Sequence, residues 1–139
     1  MKRVLVGFVT AGVFLAGAGT AVASSWRNLP AQSTTGVAFT GQYRVNPPER
    51  NHGSFEWKGQ LQDTDPGDGH NGYVEVKVEG HGWIRYYGKQ RKSVFMHHSN
   101  WDGAERYIED ARFHVCRDKG ALRPDNCASE LRFSYKLNG

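Results

Sequence analysis

The clearest strand in this chain is Tyr73-Val74-Glu75-Val76-Lys77-Val78. Its three valines alternate with Glu75 and Lys77, so apolar and charged side chains fall on opposite faces of an extended backbone. The same alternation recurs at 111–115 and 131–137, and strands of this kind build an antiparallel sheet with one face on a core. We therefore expect one shared core that contains Val74, Val76, Val78, Phe113, Val115, Leu131, Phe133 and Tyr135.

Four further segments are strand-like, at 37–45, 54–61, 83–87 and 93–97. Turn-forming residues such as Asn46-Pro47-Pro48 and Gly80-His81-Gly82 separate them. About seven short strands at this spacing predict the all-β class and a small antiparallel β-sandwich. One short helical turn is predicted within 100–110, because Asp102 and Glu105 have capping-box spacing.

The first twenty-three residues have the pattern of a secretory signal peptide. Lys2 and Arg3 precede an apolar run from Val4 to about Leu15, and Ala21-Val22-Ala23 matches the small-x-small cleavage pattern. We therefore expect a secreted, extracellular product. Residues 24–36 show no clean period and predict an extended N-terminal arm, and residues 37–139 form the predicted β-sandwich domain.

Cys116 and Cys127 are the only cysteines in the sequence. An oxidising exterior favours one intramolecular disulfide between them. Closing so short a loop contributes about 3 kcal/mol of stability through the unfolded state. The pair is expected to stabilise the C-terminal hairpin.

The charge is nearly balanced once the signal peptide is removed. The formal charge is +4, and Lys2 and Arg3 account for two of these positive charges, which leaves about +2. Both signs are interleaved along the chain, which argues against nucleic acid and against an anionic membrane as partners. The aromatic and cationic segment 83–92 is interpreted as a hairpin with a charged tip, where basic residues protect a strand edge.

No catalytic or metal-binding signature is present. Asp63, Asp65 and Asp68 crowd a glycine-rich loop, but their spacing departs from an EF-hand, so a solvated loop is favoured over calcium. The six histidines show no H-E-x-x-H pattern, and the serines show no G-x-S-x-G elbow. Glu56, His97 and Arg112 are the residue types of a ribonuclease site, but no motif supports that assignment. We predict no enzymatic activity and no cofactor.

Several short patterns resemble a known group of proteins. They are Asp68-Gly69-His70, the strand 73–78, Gly80-His81-Gly82-Trp83, Val115-Cys116-Arg117-Asp118 and Pro124-Asp125-Asn126-Cys127. Across about residues 60–137 they resemble small secreted actinobacterial proteins without assigned enzymatic activity, some of which carry a cysteine where Asn71 stands. The overall plan is similar to the adaptor subunit of actinobacterial umbrella toxin particles. That family joins a lectin-bearing subunit to a toxin stalk, so the resemblance implies protein binding.

The sequence thus predicts a secreted, non-enzymatic protein-binding module, an adaptor in an extracellular toxin or antagonism complex whose partner is another secreted protein. Strand addition is the expected mode, with apolar anchors on an extended segment. Two alternatives stay open: an inhibitor of a protease or other hydrolase that uses the loop between the cysteines or the Pro66-Gly67 loop, and a small extracellular hydrolase or carbohydrate-binding module with a concave site. The predicted partner-binding residues are Trp26, Leu29, Pro30, Val37 and Phe39.

Overall fold

The computed structural model describes residues 25–104 and 108–134. These residues form ten strands and one 3-10 turn at Asn51–Gly53. No helix among them is long and apolar enough to span a bilayer. The strands are β1 (Arg27–Asn28), β2 (Gln32–Thr34), β3 (Val37–Val45), β4 (Phe55–Asp63), β5 (Asn71–Val78), β6 (Ile84–Tyr87), β7 (Ser93–Asn100), β8 (Asp110–Asp118), β9 (Asn126–Cys127) and β10 (Leu131–Ser134).

Two antiparallel sheets pack face to face. The first has the order β1-β3-β4-β7, with β2 also paired to β3, and the second has the order β9-β8-β5-β6, with β10 also paired to β8. The predicted all-β sandwich is confirmed, and each of the seven predicted strands has a counterpart among the described residues, the last of them as far as Ser134. The structure adds β1, β2 and β9, which are too short to show an alternating pattern.

Aromatic rings from both sheets form the centre of the core. Trp57 of β4 and Phe113 of β8 are fully buried, with ring centroids 5.3 Å apart, and Phe39 of β3 lies 5.2 Å from Phe113. The indole N–H of Trp57 donates a hydrogen bond to Asn100 Oδ1 at 2.9 Å. The predicted core is confirmed for the described residues: Val74, Val76, Val78, Phe113 and Val115 are buried, Leu131 and Phe133 pack partly buried against them, and Tyr135 lies outside the described residues.

Two facing glycines make room for a core ring. Gly41 of β3 and Gly59 of β4 are register partners. A Cβ on Gly59 would lie 2.3 Å from Thr40 O and 2.5 Å from the Phe39 ring. The absent side chains therefore leave space for the Phe39 ring next to both strands.

The N-terminal segment is part of the domain, which corrects the prediction of an extended arm. Residues 27–28 and 32–34 pair with β3. Leu29 is 6% exposed, and Gln32 is buried, with its amide accepting from Val115 N at 3.1 Å and donating to Ser129 O at 2.7 Å. The segment lacks a period because its strands are two and three residues long, and its contacts are with residues distant in sequence.

The helical turn predicted within 100–110 is absent from residues 100–104 and 108–110, and residues 105–107 lie outside the described residues. On either side of them, Asn100 ends β7 and Asp110 begins β8. Asp102 Oδ1 accepts a hydrogen bond from Ala104 N at 2.9 Å, which is a local side-chain turn.

Candidate functional site

The chain between β8 and β9 forms an exposed loop closed by a disulfide. Cys116 and Cys127 are register partners on the two strands and are bonded to each other, as predicted. Residues 120–124 are all exposed, and Leu122 is 98% exposed. Burying an apolar side chain of this size on a partner is worth about 2 kcal/mol. A fully exposed leucine is therefore a strong candidate contact.

Asp125 fastens this loop to the second sheet. Its Oδ1 accepts from Lys119 N at 2.9 Å, and its Oδ2 accepts from the Tyr73 hydroxyl at 2.5 Å. The bond from Tyr73, together with that from Lys119, lowers the pKa of Asp125. Burial of Tyr73, reinforced by the same bond, raises the pKa of its phenol well above the usual range. At neutral pH the pair is therefore a phenol donating to a carboxylate.

Two further hydrogen bonds shape the ends of the loop. Asp118 Oδ1 accepts from Gly120 N at 2.8 Å, and Gly120 has a φ of +85° that favours glycine. Arg117 donates to Asn126 Oδ1 at 3.3 Å across the base. Together with Asp125 and the disulfide, these contacts hold both ends of the loop in place, and Leu122 at its tip stays exposed.

The outer face of the second sheet carries a covered charged cluster beside the loop. Glu75 Oε1 lies 2.9 Å from His114 Nε2, and Glu75 Oε2 accepts from Arg85 Nε at 2.8 Å. The Trp83 ring stacks on His114 with centroids 4.6 Å apart. Sequence reasoning placed His114 on a solvated face, whereas both Glu75 and His114 are only 9% exposed. Arg85 lies on β6 and Trp83 directly precedes that strand. The alternation of residues within β8 therefore could not indicate that His114 is covered.

A second charged cluster lies on the outer face of the first sheet. Glu56 is 6% exposed. Its Oε1 accepts hydrogen bonds from Arg44 Nε at 2.8 Å and from Asn46 Nδ2 at 2.9 Å, and its Oε2 lies 2.6 Å from His97 Nε2. Burial alone raises the pKa of Glu56, but the bonds from Asn46, His97 and Arg44 outweigh it and lower the pKa to about 2. Because a carboxylate with so low a pKa is a weak base at neutral pH, this cluster favours a structural role over acid–base catalysis.

The predicted partner-binding residues separate into two groups. Val37 and Phe39 are 2% and 1% exposed and Leu29 is buried with them, so these three belong to the core, and their assignment as partner contacts is corrected. Pro30 is exposed. Trp26 lies on the outer face of the first sheet, above Arg44 and Lys58, and is partly exposed.

Two of the three carboxylates in the loop 63–72 accept hydrogen bonds from the protein. Asp63 accepts from Asp65 N at 3.0 Å and from Arg91 N at 2.7 Å. Asp68 accepts from His70 N at 2.8 Å and from Arg117 Nε at 3.0 Å. Within residues 25–104 and 108–134, the one group of three or more potential ligands with metal-like spacing is His114, Cys116 and Cys127, whose sulfurs form the disulfide.

Comparisons with known proteins identified no relative of this chain: no protein-family model, no curated protein and no solved structure matches it. The resemblance to the umbrella-particle adaptors stays a prediction. The function is therefore argued from the geometry of the chain itself.

Proposed function

We propose that this protein is a secreted, non-enzymatic protein-binding module whose main contact is the loop 117–126, called here the Leu122 loop. The observation that supports this most is the 98% exposure of Leu122 on a segment fixed at both ends. Among the described residues, other exposed large hydrophobic side chains are between 46% and 58% exposed. A side chain presented this fully contributes nothing to the core and is suited to a partner's pocket.

The bracing of the loop favours tight binding. A flexible loop loses conformational freedom when it binds, at a cost of about 0.5–1.5 kcal/mol for each immobilised side chain, and a loop held in one shape avoids much of that cost. Asp125 and the disulfide provide that restraint here. Arg123 and Pro124 flank the apolar tip, and an apolar anchor beside an arginine is typical of interface hot spots.

An adaptor needs two separate surfaces, and the chain offers a second one. Trp26 lies on the outer face of the first sheet, over Arg44 and Lys58, while the Leu122 loop extends from the second sheet. Partly exposed tryptophan beside arginine is a composition enriched in protein interfaces. The proposed adaptor role assigns one partner to each surface, and both would be other secreted proteins.

A second candidate function is inhibition of a secreted serine endopeptidase. The segment Ala121-Leu122-Arg123-Pro124 is exposed and lies within a disulfide-closed loop, so it can enter a protease cleft with Leu122 in the apolar specificity pocket. Chymotrypsin and subtilisin are suitable probes. If wild type inhibits either enzyme and Leu122→Asp does not, this candidate is supported. If the enzyme cleaves the folded chain after Leu122 and is not inhibited, the candidate is contradicted.

The proposal is tested by affinity capture from the culture supernatant of the producing organism. Wild type and Leu122→Asp are immobilised, and retained proteins are identified by mass spectrometry. Phe95→Asp is the matched control, because Phe95 is also exposed, at 58%, but lies on β7 of the other sheet. We expect a protein retained by wild type and by Phe95→Asp but lost with Leu122→Asp. Equal retention by all three contradicts a contact at the Leu122 loop.

A further inference from the structure

A cavity of about 290 Å³ opens between the edges of the two sheets. It lies where β1 and β3 of the first sheet face β10 of the second, on the opposite side of the sandwich from β6 and β7. Its apolar wall includes Phe55, Ile108 and Ala111, all at most 1% exposed, together with Val45. The cavity thus reaches the edge of the core and is distinct from the Leu122 loop.

Aromatic rings line its inner surface. Tyr43 and Phe133, from opposite sheets, have centroids 4.4 Å apart, and each ring also packs against Phe55, at 5.8 and 5.4 Å. Tyr43 and Phe133 are only partly buried. They therefore present apolar area to whatever enters the cavity, as the walls of small-molecule sites do.

The charged side chains among the described lining residues are all arginines, namely Arg27, Arg44 and Arg132. Arg44 holds its guanidinium on the outer face of the first sheet, so the charge available to the cavity comes from Arg27 and Arg132. Arg44 Nε is bonded to Glu56, and Arg132 Nε donates to Asp110 at 3.1 Å. For Arg27 no carboxylate lies within ion-pair distance in the ranges 25–104 and 108–134. The described lining thus combines an aromatic interior with a cationic rim.

We propose that this cavity is a binding site for a small hydrophobic carboxylate, with the ring or acyl chain against Tyr43 and Phe133 and the carboxylate at Arg27 and Arg132. A volume of about 290 Å³ lies near the lower end of the usual range for small-molecule sites, about 300–1,000 Å³, so the ligand is expected to be small. Guanidinium groups bind carboxylates through charge-assisted hydrogen bonds, which are about twice as strong as neutral ones. The site goes beyond the proposed protein-binding function and does not depend on it.

Three matched probes test the charge requirement. They are 3-phenylpropanoate, 3-phenylpropan-1-ol and 3-phenylpropylamine, which share the aromatic group and differ in charge at neutral pH. Binding is followed by amide chemical-shift changes in NMR titrations of the whole chain. We expect the acid to bind at least about tenfold more tightly than the alcohol, the amine to bind least, and the shifts to cluster at 25–27, 43–45 and 132–134. Equal affinity for the acid and the alcohol, or shifts elsewhere, overturns the proposal.

Variants assign the roles of the residues. Arg27→Gln keeps the β1 backbone pairing and removes only the charge. It should therefore weaken binding of the acid about fivefold or more and leave the affinity for the alcohol unchanged. Phe133→Leu should weaken the binding of both the acid and the alcohol. Lys92→Gln is the matched control and should change the binding of neither probe, because Lys92 is exposed and does not line the cavity. If Arg27→Gln and Lys92→Gln behave alike, Arg27 does not hold the carboxylate and the proposed site is wrong.

Discussion

Tyr73 donates its phenolic hydrogen to Asp125 across 2.5 Å, which ties the middle of the second sheet to a loop 52 residues later in the chain. Tyr73 is 1% exposed, so its hydroxyl has no ready substitute in solvent. The bond therefore makes the position of the Leu122 loop depend on β5, the strand that carries Tyr73. It also links the stability of the domain to the proposed binding surface.

Tyr73→Phe removes this bond and keeps the ring. We expect a loss of about 1.5–3 kcal/mol in the free energy of unfolding, the usual range for a hydrogen bond to a charged group. Hydrogen exchange at the Lys119 amide should accelerate as the loop loosens, since that amide also bonds Asp125. Tyr87→Phe is the control, because Tyr87 is 52% exposed. Equal effects of the two variants on the Lys119 amide would show that Tyr73 does not brace the loop.

The fold was more predictable from the sequence than the candidate site was. Alternation at Val74, Val76 and Val78 predicted the correct strand and its buried face, because one periodic segment carries that information by itself. The brace at Asp125 and the cover of His114 by Trp83 depend on side chains brought together from distant strands. Single-strand periodicity carries no information on such contacts, so the charged face of β8 was predicted as solvated.

Glu56 makes the domain sensitive to acid. Its pKa is lowered from 4.5 to about 2 in the folded state, so below pH 4.5 the unfolded chain binds a proton that the folded chain does not. Stability from this group is therefore present above pH 4.5 and is lost as the pH falls to about 2, by roughly 3 kcal/mol. Urea unfolding of wild type and Glu56→Gln across pH 2–7 checks this. A Glu56→Gln variant with the same acid dependence as wild type would remove Glu56 as the cause.

Gln32 bridges the two sheets at a gap in strand pairing. β9 and β10 both pair with β8, and residues 128–130 separate them. Gln32 accepts from Val115 N within that gap and donates to Ser129 O. Gln32→Ala leaves a buried backbone N–H without its partner, so we expect a cost of about 1–3 kcal/mol. Gln60→Ala, at an exposed position on β4, is the control for thermal melting. A melting temperature equal to that of the control contradicts this bridge.

The disulfide should matter for both stability and the loop. Replacing Cys116 and Cys127 together by serine removes an 11-residue closure, and we expect a loss of about 2–4 kcal/mol. The same variant should be cleaved faster than wild type by proteases within 117–126, because the loop loses its covalent restraint. Limited proteolysis with mass mapping checks the site of cleavage. Faster cleavage only outside that range would place the effect on global unfolding rather than on the loop.

Gly59→Ala tests the close approach of β3 and β4 over Phe39. The added methyl would lie 2.3 Å from Thr40 O and 2.5 Å from the Phe39 ring, so backbone and ring must both shift. Overpacking of this kind costs about 1–3 kcal/mol, and the ring has little room to move because it also packs against Phe113. Gly67→Ala is the matched control, since no atom lies within 4 Å of its Cβ position. Urea unfolding should show a clear loss for Gly59→Ala and almost none for Gly67→Ala. Equal stability of the two variants would mean that the strands separate easily here and that Phe39 does not depend on the paired glycines.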